Sequence, residues 1–276
     1  LEKVSQGGDA SGQDDGAPCP KVQRARVFHL CVKTIAALAS FLIALVSAFW
    51  VRRQAAGWGL IDQPGDRKVH VTPTPMGGGI AIWLGVIVPF LAGTLLVMAA
   101  RSDSTWLPES IQQHMDGLSS RLGSLWILLA GGTALMVLGL VDDIRGLPWK
   151  LRLGIQFLVV TACITTQGWQ LSLFLSSTLL ATLVSVIWVV LLINSFNMLD
   201  NMDGASAGVA AIAAAILAAF LLMPAQGESG SQLFVAGFLL VLVGSLVGFL
   251  FHNRPPAKIF MGDTEVILSD GITLSY

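Results

Sequence analysis

Charge is scarce in this chain: only 12% of its 276 residues are Asp, Glu, Lys or Arg, while 54% are hydrophobic. A soluble domain carries about one quarter charged residues, so the deficit excludes an ordinary water-soluble globule. Cysteine is equally sparse, with Cys19, Cys31 and Cys163 far apart and odd in number. Lacking a CxxC pair or a Cys/His cluster, the chain has no basis for a disulfide framework or a zinc site. The four histidines (His29, His70, His114 and His252) stand singly, which removes a histidine-based metal centre. No secretory signal is evident, because the basic patch Lys21–Arg26 precedes an apolar run too long for a signal core. A net charge of −1 says little about partners, and nucleic acid is not expected among them.

What the chain does have is long apolar runs. A helix needs about 20 apolar residues to cross the hydrocarbon core. Seven complete candidates occur, at roughly 29–51, 77–100, 124–141, 151–167, 178–197, 205–223 and 232–251, and an eighth starts near Val266. The expected fold is therefore an all-α polytopic transmembrane bundle. Residues 1–27 are Gly-, Asp- and Gln-rich and read as a disordered tail, leaving 28–276 as one transmembrane domain. The chain opens on Leu1 and stops at "SDGITLSY" inside a new apolar run, so it reads as a fragment, incomplete at its C-terminus.

Basic residues orient these crossings. Loops on one side carry Arg52, Arg53, Arg67, Lys68, Arg145, Lys150, Arg152, Arg254 and Lys258; the opposite loops carry only Arg101 and Arg121. By the positive-inside rule the basic side is cytoplasmic. Against this stands the N-terminal tail, with Lys3, Lys21, Arg24 and Arg26 on the poorer side. The internal loops are the better guide, because tails can be translocated.

Four polar stretches share the basic side: "DQPGDRKVHVTPTPMGGG", "VDDIRGLPWKLR", "NMLDNMDG" and "FHNRPPAKIFMGD". Asp142 and Asp143 end an apolar crossing, where a boundary position limits the roughly 3 kcal/mol that a mid-membrane carboxylate costs. Adjacent helical residues point about 100° apart, so one Asp can face the interior while its neighbour meets solvent or a basic partner. Asp200 and Asp203, spaced i, i+3, would share a helical face or serve as N-terminal acids of the next helix. Asn197 and Asp200 offer hard oxygens of the kind magnesium accepts beside substrate phosphates, and Asp263 would add another from a separate loop.

Pro73 and Pro75 keep their loop extended, and Gly77–Gly79 let backbone come close at a helix start. Their N–H groups would suit a phosphate, or the glycines would serve helix packing. Arg67, Lys68 and His70 lie just upstream. Lys150 and Arg152 follow Trp149 and are either phosphate contacts or interfacial anchors; Asn253, Arg254 and Lys258 are placed to meet a diphosphate. A transporter is the rival class, yet it would carry ionisable groups near the bilayer midplane. The crossings are nearly empty of them, Lys33 apart.

Taken in order, these four stretches resemble the polyprenyl-phosphate N-acetylhexosamine-1-phosphate transferase family over roughly residues 55–270, and "DRKVH…PTPMGG" looks like its UDP-N-acetylglucosamine branch. The resemblance implies that a polyprenyl phosphate attacks the β-phosphorus of a UDP-N-acetylhexosamine, releasing UMP. It also implies a multi-pass enzyme of the bacterial inner membrane with cytoplasmic site loops, starting an envelope glycan. The expected cofactor is magnesium, with manganese as a substitute, and a homodimer is a candidate assembly.

By residue, the resemblance gives Asp142 as the base for the lipid phosphate and Asp143 as the adjacent acid. An aspartate acting as covalent nucleophile is the alternative mechanism. Asn197, Asp200 and Asp263 match the metal positions, and Lys68, His70, Lys150, Arg152, Asn194, Asp203, Asn253 and Lys258 are expected to bind substrate. Two departures stand out: Asn201 replaces a glycine in "DNMDG", and Glu265–Val266 follow "MGDT" where Gly-Ser is usual. Alternatives are another UDP-sugar, including UDP-MurNAc-pentapeptide, or an inactive paralogue acting as a scaffold.

Overall fold

The computed structural model describes residues 20–63, 73–102, 115–171, 177–200, 202–223 and 230–262. Among these are the helices α1 (Pro20–Trp58), α2 (Gly78–Ser102), α3 (Met115–Arg145), α4 (Trp149–Gln167), α5 (Thr178–Leu199), α6 (Ala205–Leu222) and α7 (Gly230–Asn253). A two-residue antiparallel ladder, β1 (Ile61–Asp62) with β2 (Thr74–Pro75), folds the loop after α1 back on itself. The other regular elements among the described residues are helices. Six helices are long and apolar enough to cross a membrane; α4, with 19 residues, falls outside that group. The expected start of an eighth crossing near Val266 lies outside the described residues. α1 begins within the segment expected to be a disordered tail, as helix extension from an established apolar segment costs little.

Large apolar side chains point outward from the helices, among them Leu179, Phe220 and Ile216, which are 73%, 72% and 64% exposed. Such a surface needs lipid rather than water around it, and the chain is a multi-pass membrane protein. Inside, where apolar side chains gain nothing over lipid, close approach and hydrogen bonds hold helices together. The α1–α7 seam follows this rule. Gly244 and Gly248 form a GxxxG pair, and a Cβ at either would collide with the backbone carbonyl of Ala37 or Phe41. Ser40 Oγ donates to the Val241 carbonyl at 2.6 Å, and Ser245 Oγ to that of Ile82 at 2.7 Å.

Gly248→Val should drive α1 and α7 apart and cost about 3 kcal/mol of stability. Gly208→Val is the control, because nothing lies within 4 Å of a Cβ there. Thermal unfolding in detergent checks both, and equal melting of the two variants would contradict this packing.

The contacts also set helix directions. α1 and α7 run parallel, with Ala37 at Gly244, Phe41 at Gly248 and the Leu45 carbonyl at His252. α2 opposes α7, with Gly78 at Phe249 and Gly85 at Ser245. Trp83 donates to Thr133 and Trp126 to Thr94, so α3 opposes α2. Asp142 meets Arg152 while Gly131 meets Cys163, so α4 opposes α3. Asn194 bonds Gln156 while Leu171 N–H bonds Ser185, so α5 opposes α4. Every helix reverses its predecessor, and the chain segments after α1, α3, α5 and α7 gather at one end.

Two packed groups result. α1, α2, α6 and α7 share a core around Ala48, Val51, Ala81, Ala207 and Phe249. α3, α4 and α5 form the other group, with Val160, Ile164, Val186 and Val190 buried between α4 and α5. The space between the groups, at the loop end, holds the site.

Candidate active site

Local rules build its first corner. Gly146 ends α3 at φ +61°, its N–H bonding the Asp142 carbonyl at 2.7 Å, a left-handed cap that glycine supplies without steric cost. Pro148, extended at φ −60° and ψ 134°, then starts α4. This tight reversal returns Arg152 to Asp142. Asp142 Oδ1 accepts the Leu147 N–H at 2.7 Å, and Oδ2 forms an ion pair with Arg152 Nη1. Both side chains are only 6% exposed. Arg152 Nη2 is also buried, and it alone among the described buried side-chain polar atoms has no hydrogen-bond partner.

Asp143 faces elsewhere, as the helical offset requires. It meets the segment after α7: a Cβ placed at Gly262 would lie 2.7 Å from Asp143 Oδ2. Only a glycine lets that backbone approach the carboxylate.

The second corner is the end of α5. Asp200 is its C-cap, with N–H to the Asn197 carbonyl at 3.2 Å. Residues 202–204 are a turn, and Gly204 at φ +71° starts α6 without a side-chain cap. The shared helical face expected for Asp200 and Asp203 is therefore absent, because a left-handed glycine separates two helices there. Nor does Asp203 cap α6: its Oδ2 accepts the Ala257 N–H at 2.9 Å.

The third corner is the segment after α7, which three clamps hold. Asn253, 2% exposed, donates from Nδ2 to the Ile259 carbonyl at 2.9 Å and accepts the Gly204 N–H at 3.0 Å. Phe260 N–H reaches the Pro75 carbonyl at 2.8 Å. The N–H groups of Gly78 and Gly79 bond the carbonyls of Phe260 and Met261 at 2.9 and 3.0 Å. This corrects the phosphate reading of the glycine run. Close backbone approach does occur, but the partner is the chain's own loop.

Between the corners lies a cleft of about 510 Å³. Asp142, Asp143, Arg152, Asn197, Asp200 and Gly262 line it, and farther from the loops its walls are apolar, with Leu135, Met136, Val189 and Ile193. Other residues expected to bind substrate lie elsewhere. Lys150 is exposed, with Nζ 5.5 Å from the Trp149 ring centre, as an interfacial anchor would be. Lys258 is exposed, and Asn253 and Asp203 are committed to the loop clamps. Asn194 bonds Gln156 rather than opening directly onto the cleft. Lys68, His70 and Asp263 lie outside the described residues.

Gln156 is a polar lining residue that the sequence did not single out. Its signal was its place one turn after Arg152, on the stripe Arg152, Gln156, Val160, Ile164 that α4 buries. Among the described residues no three Asp, Glu, His or Cys side chains converge as a self-sufficient metal cage. The oxygens of Asp143, Asn197 and Asp200 on one cleft are a hard donor set, suited to a cation that takes its remaining ligands from substrate and water.

Residues 125–272 match the model of glycosyl transferase family 4. A probable undecaprenyl-phosphate N-acetylglucosaminyl 1-phosphate transferase of Bacillus subtilis is 31% identical over 238 residues, covering 83% of this chain and 58% of the relative. A decaprenyl-phosphate N-acetylglucosaminephosphotransferase of Mycolicibacterium smegmatis is 29% identical, covering 84% and 57%. A phospho-N-acetylmuramoyl-pentapeptide-transferase of Oceanobacillus iheyensis is 29% identical, covering 86% and 71%. The chain thus spans a little under three fifths of the first two relatives' length. With more than half its residues matched by the family model, the chain belongs to glycosyl transferase family 4.

Proposed function

We propose that the protein transfers N-acetylglucosamine 1-phosphate from UDP-N-acetylglucosamine to a polyprenyl phosphate and releases UMP. One observation carries this reading: anionic oxygen ligands and a buried guanidinium line one cleft whose deeper walls are apolar. Such a cleft can hold a diphosphate at its mouth and a lipid-borne phosphate farther in. The relatives' names supply the two substrate classes. The basic loops favour a cytoplasmic site, and the strict reversal of helices favours α4 as a seventh crossing despite its shortness.

The residues act mainly by placing charge. Asp142 holds Arg152, whose guanidinium lines the cleft and would place positive charge beside a bound phosphate; charge-assisted bonds are about twice as strong as neutral ones. A phosphate monoester has its second pKa near 6, so the acceptor is largely dianionic at neutral pH and asks little of a base. Where a proton must be accepted, the carboxylates of Asp142 and Asp143 both line the cleft. Magnesium, held by Asn197 and Asp200 with Asp143 near, would offset charge developing on the diphosphate when bound.

Membranes containing the full-length gene product should incorporate radiolabel from the sugar phosphate of UDP-N-acetylglucosamine into lipid, with loss of incorporation on chelation of divalent cations. UDP-MurNAc-pentapeptide belongs in the same assay, because relatives acting on phospho-N-acetylmuramoyl-pentapeptide also match. No transfer from either donor would favour a non-catalytic scaffold.

A further inference from the structure

Beyond the charged corners, Gln156 gives the cleft a neutral polar group deeper in. Gln156 is 3% exposed and lies one turn after Arg152 on α4. Its Oε1 accepts Asn194 Nδ2 at 2.8 Å, and the same Nδ2 donates to the Val190 carbonyl at 2.8 Å.

This chain of bonds allows one orientation. A backbone carbonyl only accepts, so Asn194 must turn its NH₂ toward Val190, and the second hydrogen of that NH₂ then requires an acceptor on Gln156. Gln156 must present Oε1 to Asn194 and send its own NH₂ the other way. Among the described residues Nε2 has no hydrogen-bond partner, and it is not sealed off as Arg152 Nη2 is. Gln156 lines the cleft, and there Nε2 opens.

Depth identifies what it meets. α4 runs from the loop end into the bundle, so Gln156 lies about 6 Å deeper than Arg152. At this level the cleft passes from charged rim to the apolar walls of Leu135, Met136, Val189 and Ile193. A nucleotide sugar is polar throughout and gains nothing there. A phosphate on an apolar chain has its polar-to-apolar junction at the same level.

We propose that Gln156 Nε2 donates a hydrogen bond to the phosphate of the lipid acceptor, and that Asn194 is a positioning residue aiming it. The proposal rests on the transferase reading for its ligand class. It also makes Gln156 a selector of acceptor over donor.

The test is equilibrium binding of polyprenyl phosphate to the purified full-length protein in detergent, with UDP-N-acetylglucosamine binding as control. Gln156→Leu should weaken lipid-phosphate binding about tenfold and leave the nucleotide sugar unchanged. Gln156→Glu keeps the acceptor for Asn194 while replacing the donor with a charge that repels phosphate, so it should weaken lipid binding at least as much with the fold retained. Asn194→Ala should weaken it less, and combining it with Gln156→Leu should add almost nothing. Unchanged lipid binding in a folded Gln156→Glu protein overturns the inference while leaving the transferase reading intact. A wild-type protein that binds no polyprenyl phosphate overturns both.

Discussion

Arg152→Leu is expected to lower the stability of the protein by about 3–5 kcal/mol, the usual consequence of leaving one member of a buried ion pair alone. Asp142 would remain 6% exposed with only the Leu147 N–H to hold its charge. Activity should vanish with the fold's integrity, so the single variant cannot separate the two. The double variant Asp142→Asn/Arg152→Gln can. It removes both charges and retains hydrogen bonding, and stability should return to within about 2 kcal/mol of wild type, since a buried pair is weak in net terms. Transfer should stay absent, because the guanidinium proposed to sit beside the phosphate is gone. Unfolding in detergent and the lipid-transfer assay are the two measurements. Recovered transfer in the double variant would show that Arg152 serves only the turn between α3 and α4.

Asp200→Asn should show the opposite pattern. This carboxylate caps the C-terminal end of α5, is half-buried and lines the cleft. Asn keeps the shape of this half-buried cap, so stability should change little, while kcat falls by about 10³-fold, the scale of losing one strong electrostatic contact to a reacting group. Asp143→Asn should also lose activity without loss of fold. In Asp200→Asn the residual rate should need more magnesium for half-saturation than wild type, which a magnesium titration measures. A large loss of stability with an unchanged magnesium requirement would make Asp200 a structural group.

The membrane spans were legible because the bilayer acts on each segment separately. Backbone groups in hydrocarbon must be satisfied within the helix, so every span announces itself as a local apolar run. Helix bounds came within a few residues for most crossings, as for 178–197 against Thr178–Leu199. Gly146 and Pro148 likewise punctuate α3 and α4 by rules that operate over a few residues. The Asp-Asp pair divided as its helical offset required, one side chain to a cation and the other to the facing loop.

What a residue type can do was thus readable, and with whom it does it was not. Gly78 and Gly79 carry donors at a helix start, and nothing nearby shows that the takers are carbonyls about 180 residues on, Phe260 and Met261. Asn253 and Asp203 read as substrate-binding residues until the segment after α7 claimed them. Gln156 passed as an ordinary helix residue until Asn194 and Val190 set the direction of its amide.

By itself the sequence determined a membrane-embedded helical chain, the end of the bundle where its chemistry gathers, and the oxygen and guanidinium groups available there. Only the tertiary structure decided which of those groups are spent on holding loops and which line the cleft. The physical reason is that apolar burial in a bilayer depends on composition along one segment, whereas a hydrogen bond or ion pair needs two partners within about 3 Å, and folding alone chooses the second.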